Sequence, residues 1–599
     1  MADEYELLEQ HKEAFVGDHD FQRDWRVKAK SCYRFESGKQ WDETTLSRLE
    51  AEGRPHITIN KIRPTVNVVA GFQRMNPYEP QFKPRTKTDL EDAKIAYGVT
   101  KYVLDDTVFE YEEGRVFLDS LICGRGVFHV GVEWDFETLD ADIRIKRISP
   151  LDVYPDRESK DPFWRDAEHV HVAKWVTRKS LKEVYPEFKD DIDAIMSRYD
   201  SLEEDEVTHQ DGLFYDKATK KVRLFETWYK EHYVRKVHIM PDKTAIPDDV
   251  IPEELKGQAV GTARIPLWDI RVSSWIGGLL LEDVDSPYKH KMFPYIPVPA
   301  YATGEEGKEG PDGLVSDLID PQLETNKRRS QALHIINSMA NRGWKAPKGA
   351  LDERNKRLLN EKGSTPGILI EYNVTGGHGL EQFGNDGVPM GIIKYEDIAK
   401  SDMREISGIN EAFLAQPLAS NVSGRALEIR NRQAITSIAR IFDNLRIAKL
   451  MLMKQLWGKL GKPGLIPQYY TDAKTVRIVS DNGGDDFVTL NQPQTDPFGN
   501  VTGLLHDLSK MEFDIVITEA PMSTTQREKQ FAQLLEAAGA GVPIPPDLIV
   551  DFSDWPFKED LKARMVQAQQ GPPQQGGSPP KLPTGAQMAN SQAQNPLGI

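Results

Sequence analysis

Between residues 125 and about 300 the hydrophobic pattern repeats at every second residue. In VFHVGVEW, Phe128, Val130, Val132 and Trp134 alternate with His129, Gly131 and Glu133. ADIRIKRI, EHVHVAKWV, VRLFETWY and HYVRKVHI continue the run. Period two predicts strands that each bury one face, and such a sheet needs a covering layer. The flanks are different. EYELLEQHKEAF and FQRDWRVKAKSCYRF predict helices up to about residue 55, followed by a short extended stretch, GRPHITINKIRP. Residues 60 to 120 are helical again around a proline-punctuated break, MNPYEPQFKP. Helices before and after one block of strands make an α+β chain.

The helices beyond residue 312 differ from one another in kind. In DPQLETNKRRSQALHIINSMANRGWKAP, Asp320 suits an N-cap and Pro321 the first helical position. Glu324 and Arg328 form a favourable i,i+4 pair. Leu323, Leu333, Ile336, Met339 and Ala340 make a thin apolar stripe. A helix with so thin a stripe lies on the surface or packs beside copies of itself. After Asn341 the period stops, and RGWKAPKG reads as a loop at the start of a compact insert. IIKYEDIAKSDMREISGINEAFL predicts a second helix, and the small-residue loop AQPLASNVSG leads to a third, Arg425 to Trp457. Its apolar positions include Leu427, Ala434, Ile438, Ile441, Phe442, Leu445, Ala448 and Leu452, and its length is about 50 Å at 1.5 Å per residue. TTQREKQFAQLLEAA is helical after a β-like stretch. The Pro/Gly/Gln-rich end from about residue 567 buries too little to order itself.

Chemistry is sparse. No Walker A loop, dinucleotide fingerprint or G-x-S-x-G elbow is present. GEEGKEG lacks the spacing, and GRG at 124 to 126 is too short. His169 and His171 share one strand face and could meet a metal. No nearby Cys or His completes that set, so an outward polar face is expected. Cys123 beside Arg125 suits a lowered thiol pKa, but nothing marks a base. SDNGGDDF reads as a turn between strands. No catalytic residue, cofactor or metal is expected. Two cysteines give no disulfide framework and fit a reducing compartment. MADEYELLEQ has no signal-peptide pattern, and no run is apolar enough to span a membrane. The net charge of −17 disfavours tight binding of nucleic acid, whose affinity comes mainly from cations displacing counterions.

Several segments, in order, resemble the portal proteins of tailed double-stranded DNA phages, closest to the short-tailed, podovirus-type group. They are FESGKQW, GRPHITINKI with VAGFQRMNPYEP, GLVSDLIDPQLETNKRRSQALHIINSMA, SGRALEIRNRQ with FDNLR, and FDIVITEAPMSTTQREKQFAQLLEA. The resemblance covers roughly residues 20 to 540. It implies a ring-forming fold with a mixed α/β wing, a helical stem, a small α/β clip, a long wing helix and a helical crown. Residues 1–312 would be wing, 313–341 the first stem helix, 342–388 the clip and 389–414 the second stem helix. Residues 415–424 would be the tunnel loop, 425–520 the long wing helix and its β-rich return, 521–566 the crown and 567–599 a disordered tail. Relatives often carry a helical barrel at the end, but no heptads follow EDLKARMVQAQQ and none is expected.

The same resemblance implies a homo-oligomeric ring, usually of twelve, at one capsid vertex of the virion, assembled in the host cytoplasm. DNA would be packaged by the large terminase subunit and ejected through the channel without tight binding. The other implied partners are head–tail adaptor and tail proteins, major capsid protein and scaffolding protein. Channel-lining candidates are Lys327, Arg328, Gln331, Ser420, Asn421 and Ser423. Partner-docking candidates in the clip are Arg342, Trp344, Lys345, Lys348, Arg354, Lys356, Arg357 and Lys362, against three acidic residues, Asp352, Glu353 and Glu361. An exposed Trp among cations is a common interface anchor. The competing reading is another capsid-associated ring or adaptor without a DNA channel.

Overall fold

A computed structural model describes residues 2–550 except 87–88, 135–140, 202–210, 243, 303–309, 341–342, 363–367, 374–380, 384–389, 409–423, 460–461, 472–474, 480–484, 496–500, 512, 520–523 and 540–549. The expected tunnel loop, the end of the second stem helix, most of the crown and the whole tail lie outside the described residues. Two compact units are separable, residues 1–523 and 524–599. In the second, α16 (Thr524–Gly539) matches the helix expected at TTQREKQFAQLLEAA.

The first unit opens with α1 (Ala2–Phe21), α2 (Arg23–Glu36), α3 (Glu43–Ala51) and α4 (Ile62–Met75). The Asp42 carboxylate accepts the Thr45 N–H at 2.7 Å and starts α3. Strand β1 (Tyr78–Pro84) follows, then α5 (Leu90–Asp106) and α6 (Phe109–Cys123). β1 occupies the proline-rich stretch expected to be only a break. Its partner, β20 (Phe513–Glu519), lies more than 400 residues on, with Tyr78 opposite Glu519. No local pattern announces a pairing so remote. α6 stops at Gly124, whose φ is +89°; a Cβ there would stand 2.0 Å from the Pro311 carbonyl oxygen.

The period-two region becomes β2 (Arg125–Trp134), β3 (Ala141–Ile148), β4 (Val153–Pro155), β5 (His169–Thr177), α7 (Arg178–Val184), α8 (Lys189–Ser201), α9 (Asp211–Phe214), β6 (Tyr215–Asp216), β7 (Lys221–Ile239), β8 (Ala245–Pro247), α10 (Glu253–Lys256), β9 (Gly261–Ile276), β10 (Leu279–Asp285) and β11 (Tyr295–Pro299). Two antiparallel sheets result. One runs β11–β2–β3. The other runs β10–β9–β7–β5–β4, with β6 and β8 also pairing β7. Helices α7 and α8 interrupt the run of strands, which the alternation did not predict.

Beyond a 3-10 turn, Ser316–Leu318, come α11 (Ile319–Ala340), β12 (Gly343–Lys345), α12 (Glu353–Lys362), β13 (Glu381–Phe383), α13 (Met390–Ser407) and α14 (Gly424–Trp457). Asp320 and Pro321 therefore sit inside the first turn of α11 rather than at its cap, because the 3-10 turn runs straight into the helix. RGWKAPKG is not all loop, since Gly343 to Lys345 pair with Phe383 to Glu381. The remaining elements are β14 (Gly458–Lys459), β15 (Lys462–Pro463), α15 (Leu465–Tyr469), β16 (Thr475–Val479), β17 (Asp485–Thr489), β18 (Gln492–Thr495), β19 (Val501–Leu505) and β20. β16 and β17 pair antiparallel, so Asp485, Asp486 and Phe487 of SDNGGDDF belong to a strand, and the rest of that segment lies outside the described residues.

The main core lies between α4, α5, α6 and α14 and the sheet β11–β2–β3. Ile438, Ile441, Phe442, Leu445, Ala448 and Leu452, all expected on the apolar face of α14, are buried in it. The helix is also bonded to backbone: Asn444 Nδ2 donates to the Pro299 and Ala300 carbonyls, and Gln455 Nε2 to Phe293 O at 2.7 Å. In its C-terminal third, Lys449 is buried against the Glu113 carboxylate at 2.8 Å and donates to Tyr78 O at 2.7 Å. Cys123 is no reactive thiol. Its Sγ donates within the main chain to Asp119 O and Arg125 O at 3.2 Å, and burial pushes its pKa up to about 11.

Candidate channel helices and docking insert

Helix α11 has three faces. The first is polar and buried. Gln322, Asn326 and Ser330 are four residues apart, so they rise in a row, and each accepts a backbone N–H from the extended strip 57–61. Ser330 Oγ takes Ile57 N at 2.9 Å, Asn326 Oδ1 takes Ile59 N at 2.9 Å and Gln322 Oε1 takes Lys61 N at 2.9 Å. The match is metric. Four helical residues rise about 6 Å, and two extended residues advance about 6.6 Å, so helix and strip stay in step. Gln322 Nε2 returns a bond to Ile59 O at 2.8 Å, and Asn326 Nδ2 donates to Gln40 Oε1 at 2.6 Å. Every rung is satisfied, as buried polar groups must be.

The second face meets α13. Arg329 approaches the Glu396 carboxylate at 3.4 Å, and Lys400 approaches it at 2.8 Å. Glu396 is buried, and two cations offset the cost of burying its charge. The Glu396 hydrogen bond also holds the Lys400 ammonium pKa above its usual value. Arg328 keeps the expected pairing with Glu324 at 3.2 Å and lies 5.5 Å from the centre of the Tyr395 ring. On α13, Glu396, Ala399, Met403 and Ser407 are buried. Their spacing of three or four residues marks the face turned to α11. Beside them Tyr395, Ile398 and Ile406 stay exposed, as does Ile336 on α11.

The third face of α11 is exposed. It carries Lys327 and Gln331, four residues apart. Two channel candidates thus share one exposed face, and Arg328 lies at its edge, donating to Gln331 Oε1 at 3.3 Å while it also lies near Tyr395 of α13. Ser420, Asn421 and Ser423 lie outside the described residues.

The insert between α11 and α13 is a small α/β unit. β12 pairs with β13 in register, and the Lys345 ammonium meets Glu381 at 3.0 Å across the pair. The Asp352 carboxylate accepts Asn355 N at 2.8 Å at the start of α12. Lys345, Lys348, Arg354, Lys356, Arg357 and Lys362 are exposed, and Lys356 pairs with Glu353 at 2.8 Å. Trp344 has its backbone in β12. Arg342 lies outside the described residues. The anchoring residues Gln40, Gln322, Asn326 and Ser330 and the helix-pairing residues Tyr395 and Glu396 were absent from the sequence candidates. The i,i+4,i+8 run of amide and hydroxyl side chains was the available signal.

The face of β5 that bears His169 and His171 is covered rather than outward. His171 is fully buried, and α1 lies over both rings. The covering stripe of α1 is Leu8, His11, Phe15 and Asp18. Two of its four members are polar or charged, which hid it from a hydrophobic period.

A family model for phage P22-like portal proteins matches residues 12–597. The chain belongs to that family, whose members are structural head–tail connector components of the virion. No curated protein matched the chain.

Proposed function

We propose that this P22-like portal protein closes into a homo-oligomeric ring at one capsid vertex. Its channel admits the genome during packaging by terminase and releases it at ejection, and its clip docks the adaptor and tail proteins. The supporting observation is the α11–α13 pair. One end of α11 is bonded into the body by the polar ladder, while the pair leaves Ile336, Tyr395, Ile398 and Ile406 exposed. Such a flank is buried when an identical pair packs beside it, and a head-to-tail step of that kind, repeated with a rotation that closes, makes a ring. In this reading 313–341 and 389–414 are stem, Lys327 and Gln331 face the channel, and the basic surface of residues 342–388 faces terminase and adaptor.

Native mass spectrometry and negative-stain images of the purified chain test this, with rings of about twelve copies and an open channel expected. Ile398→Asp combined with Ile406→Asp should leave a folded monomer. Monomers and dimers only in the wild type at micromolar concentration would refute the ring. Rings without a channel would favour an adaptor. In wild-type-sized rings, Trp344→Ala with Lys345→Glu and Lys348→Glu should weaken terminase or adaptor docking, most at low salt. Docking unchanged at every salt concentration would remove the basic clip from the mechanism.

A further inference from the structure

Strand β5 is paired on both sides, by β4 and β7. Its side chains at 169 and 171 project from one face toward α1. Asp18 of α1 meets them there. Its Oδ2 stands 2.9 Å from His169 Nε2 and 3.7 Å from His171 Nε2. Among the described residues these three form a group whose ligand atoms all lie within 4.8 Å of one another. Around a tetrahedral ion with bonds of about 2.0–2.1 Å, ligand atoms stand about 3.3 Å apart. The two observed separations bracket that value.

The surroundings are those of a ligand set. Asp18 Oδ1 is occupied by the Arg157 backbone N–H at 3.0 Å, which leaves Oδ2 turned to the histidines. His171 Nδ1 is paired with Thr227 Oγ1 at 2.7 Å, and Trp275 Nε1 donates to the same hydroxyl at 2.8 Å. A bond at Nδ1 fixes the ring and directs Nε2 at the cluster, the role outer partners play at metal-binding histidines. His171 Nε2 is fully buried and has no hydrogen-bond partner. An Asp18–His169 ion pair satisfies His169 but leaves that nitrogen empty-handed. A cleft of about 650 Å³, lined in part by His11, His169 and Tyr229, borders the cluster at His169.

We propose that Asp18, His169 and His171 bind one divalent transition-metal ion of the zinc class, which fastens α1 to the sheet. Two imidazoles and one carboxylate suit such an ion. Calcium and magnesium want more oxygen ligands than this site offers. On binding, the proton shared by Asp18 and His169 leaves to solvent, and water from the cleft takes the fourth position.

The test uses the full chain, stripped on a chelating resin and titrated with zinc chloride, with magnesium and calcium as controls. The expected result is one tightly held zinc per chain, a raised Tm, and no response to the other two ions. Asp18→Asn and His171→Gln should each weaken zinc binding by at least about 10- to 100-fold, whereas His56→Gln at an exposed site should not. Should either site variant fail to fold, cobalt(II) on the wild-type chain decides. Intense visible bands of a four-coordinate ion, erased by zinc, are expected. A featureless cobalt spectrum, or zinc binding unchanged by Asp18→Asn, would overturn the site and leave a buried His–Asp pair.

Discussion

Helices α11 and α14 both lie along extended backbone, but they hold it by opposite means. α14 presses Ile441, Leu445, Ala448 and Leu452 into the main core and adds a few side-chain bonds to the carbonyls of residues 293–300. α11 holds the strip 57–61 through Gln322, Asn326 and Ser330, three polar side chains in a row. Apolar burial is non-directional and tolerates small slips. A ladder of hydrogen bonds tolerates none, because each rung out of step leaves a buried donor unpaired. The contrast suits the proposed roles: α14 gives the body its stability, and the ladder fixes the place from which the α11–α13 pair leaves it.

The largest expected effect is at the one charged contact in the α14 dock described above. Lys449→Met strands the buried Glu113 carboxylate and should destabilise the chain by about 3–5 kcal/mol. Adding Glu113→Gln should restore much of that loss. Urea unfolding of both variants checks it, and equal stability of single and double variants would show that the pair is not coupled.

A smaller and more local effect is expected at the ladder. Asn326→Ala leaves Ile59 N–H without an acceptor and should cost about 1–3 kcal/mol. Hydrogen exchange should quicken over residues 57–61 and the first half of α11 while α14 keeps its protection. Uniform loosening of both helices would mean that the two docks are one cooperative unit.

The smallest effect separates the two sides by pH. The rungs are amides and a hydroxyl, which do not titrate. His290, five residues before β11, is buried, accepts the Met292 N–H at Nδ1 (3.1 Å), and has its pKa lowered by burial to about 4. The folded state therefore binds this proton less readily than the unfolded chain, whose value is near 6.5. Stability should fall as pH drops from about 6.5 toward 4, by about 1 kcal/mol between pH 6.5 and 5.5. His290→Asn, which keeps an acceptor but cannot titrate, should flatten that part of the curve. The same slope in the variant would assign the loss to other groups.

How much of this was legible depends on whether the buried face was apolar. The face of α14 could be read from Ile438 to Leu452, and the β-rich block from its alternation, because water enforces those patterns directly. The thin stripe of α11 was also visible, although Ile336 within it is exposed. Its buried face was not, since Gln322, Asn326 and Ser330 look like surface residues until a backbone strip from residues 57–61 arrives to use them. β1 was hidden for a related reason: the partner that makes Tyr78–Pro84 a strand is β20, at the far end of the unit.

The sequence by itself determined the α+β character, the order of helical and strand blocks, the long helix and the family resemblance, because each rests on local period or on motifs in order. Only the tertiary structure decided which polar residues are inside. Asp18, His169 and His171 come from segments about 150 residues apart. Each would be unremarkable at a surface. Burial turns them into a cluster, because a polar group removed from water must find its partner among whatever the fold has brought near.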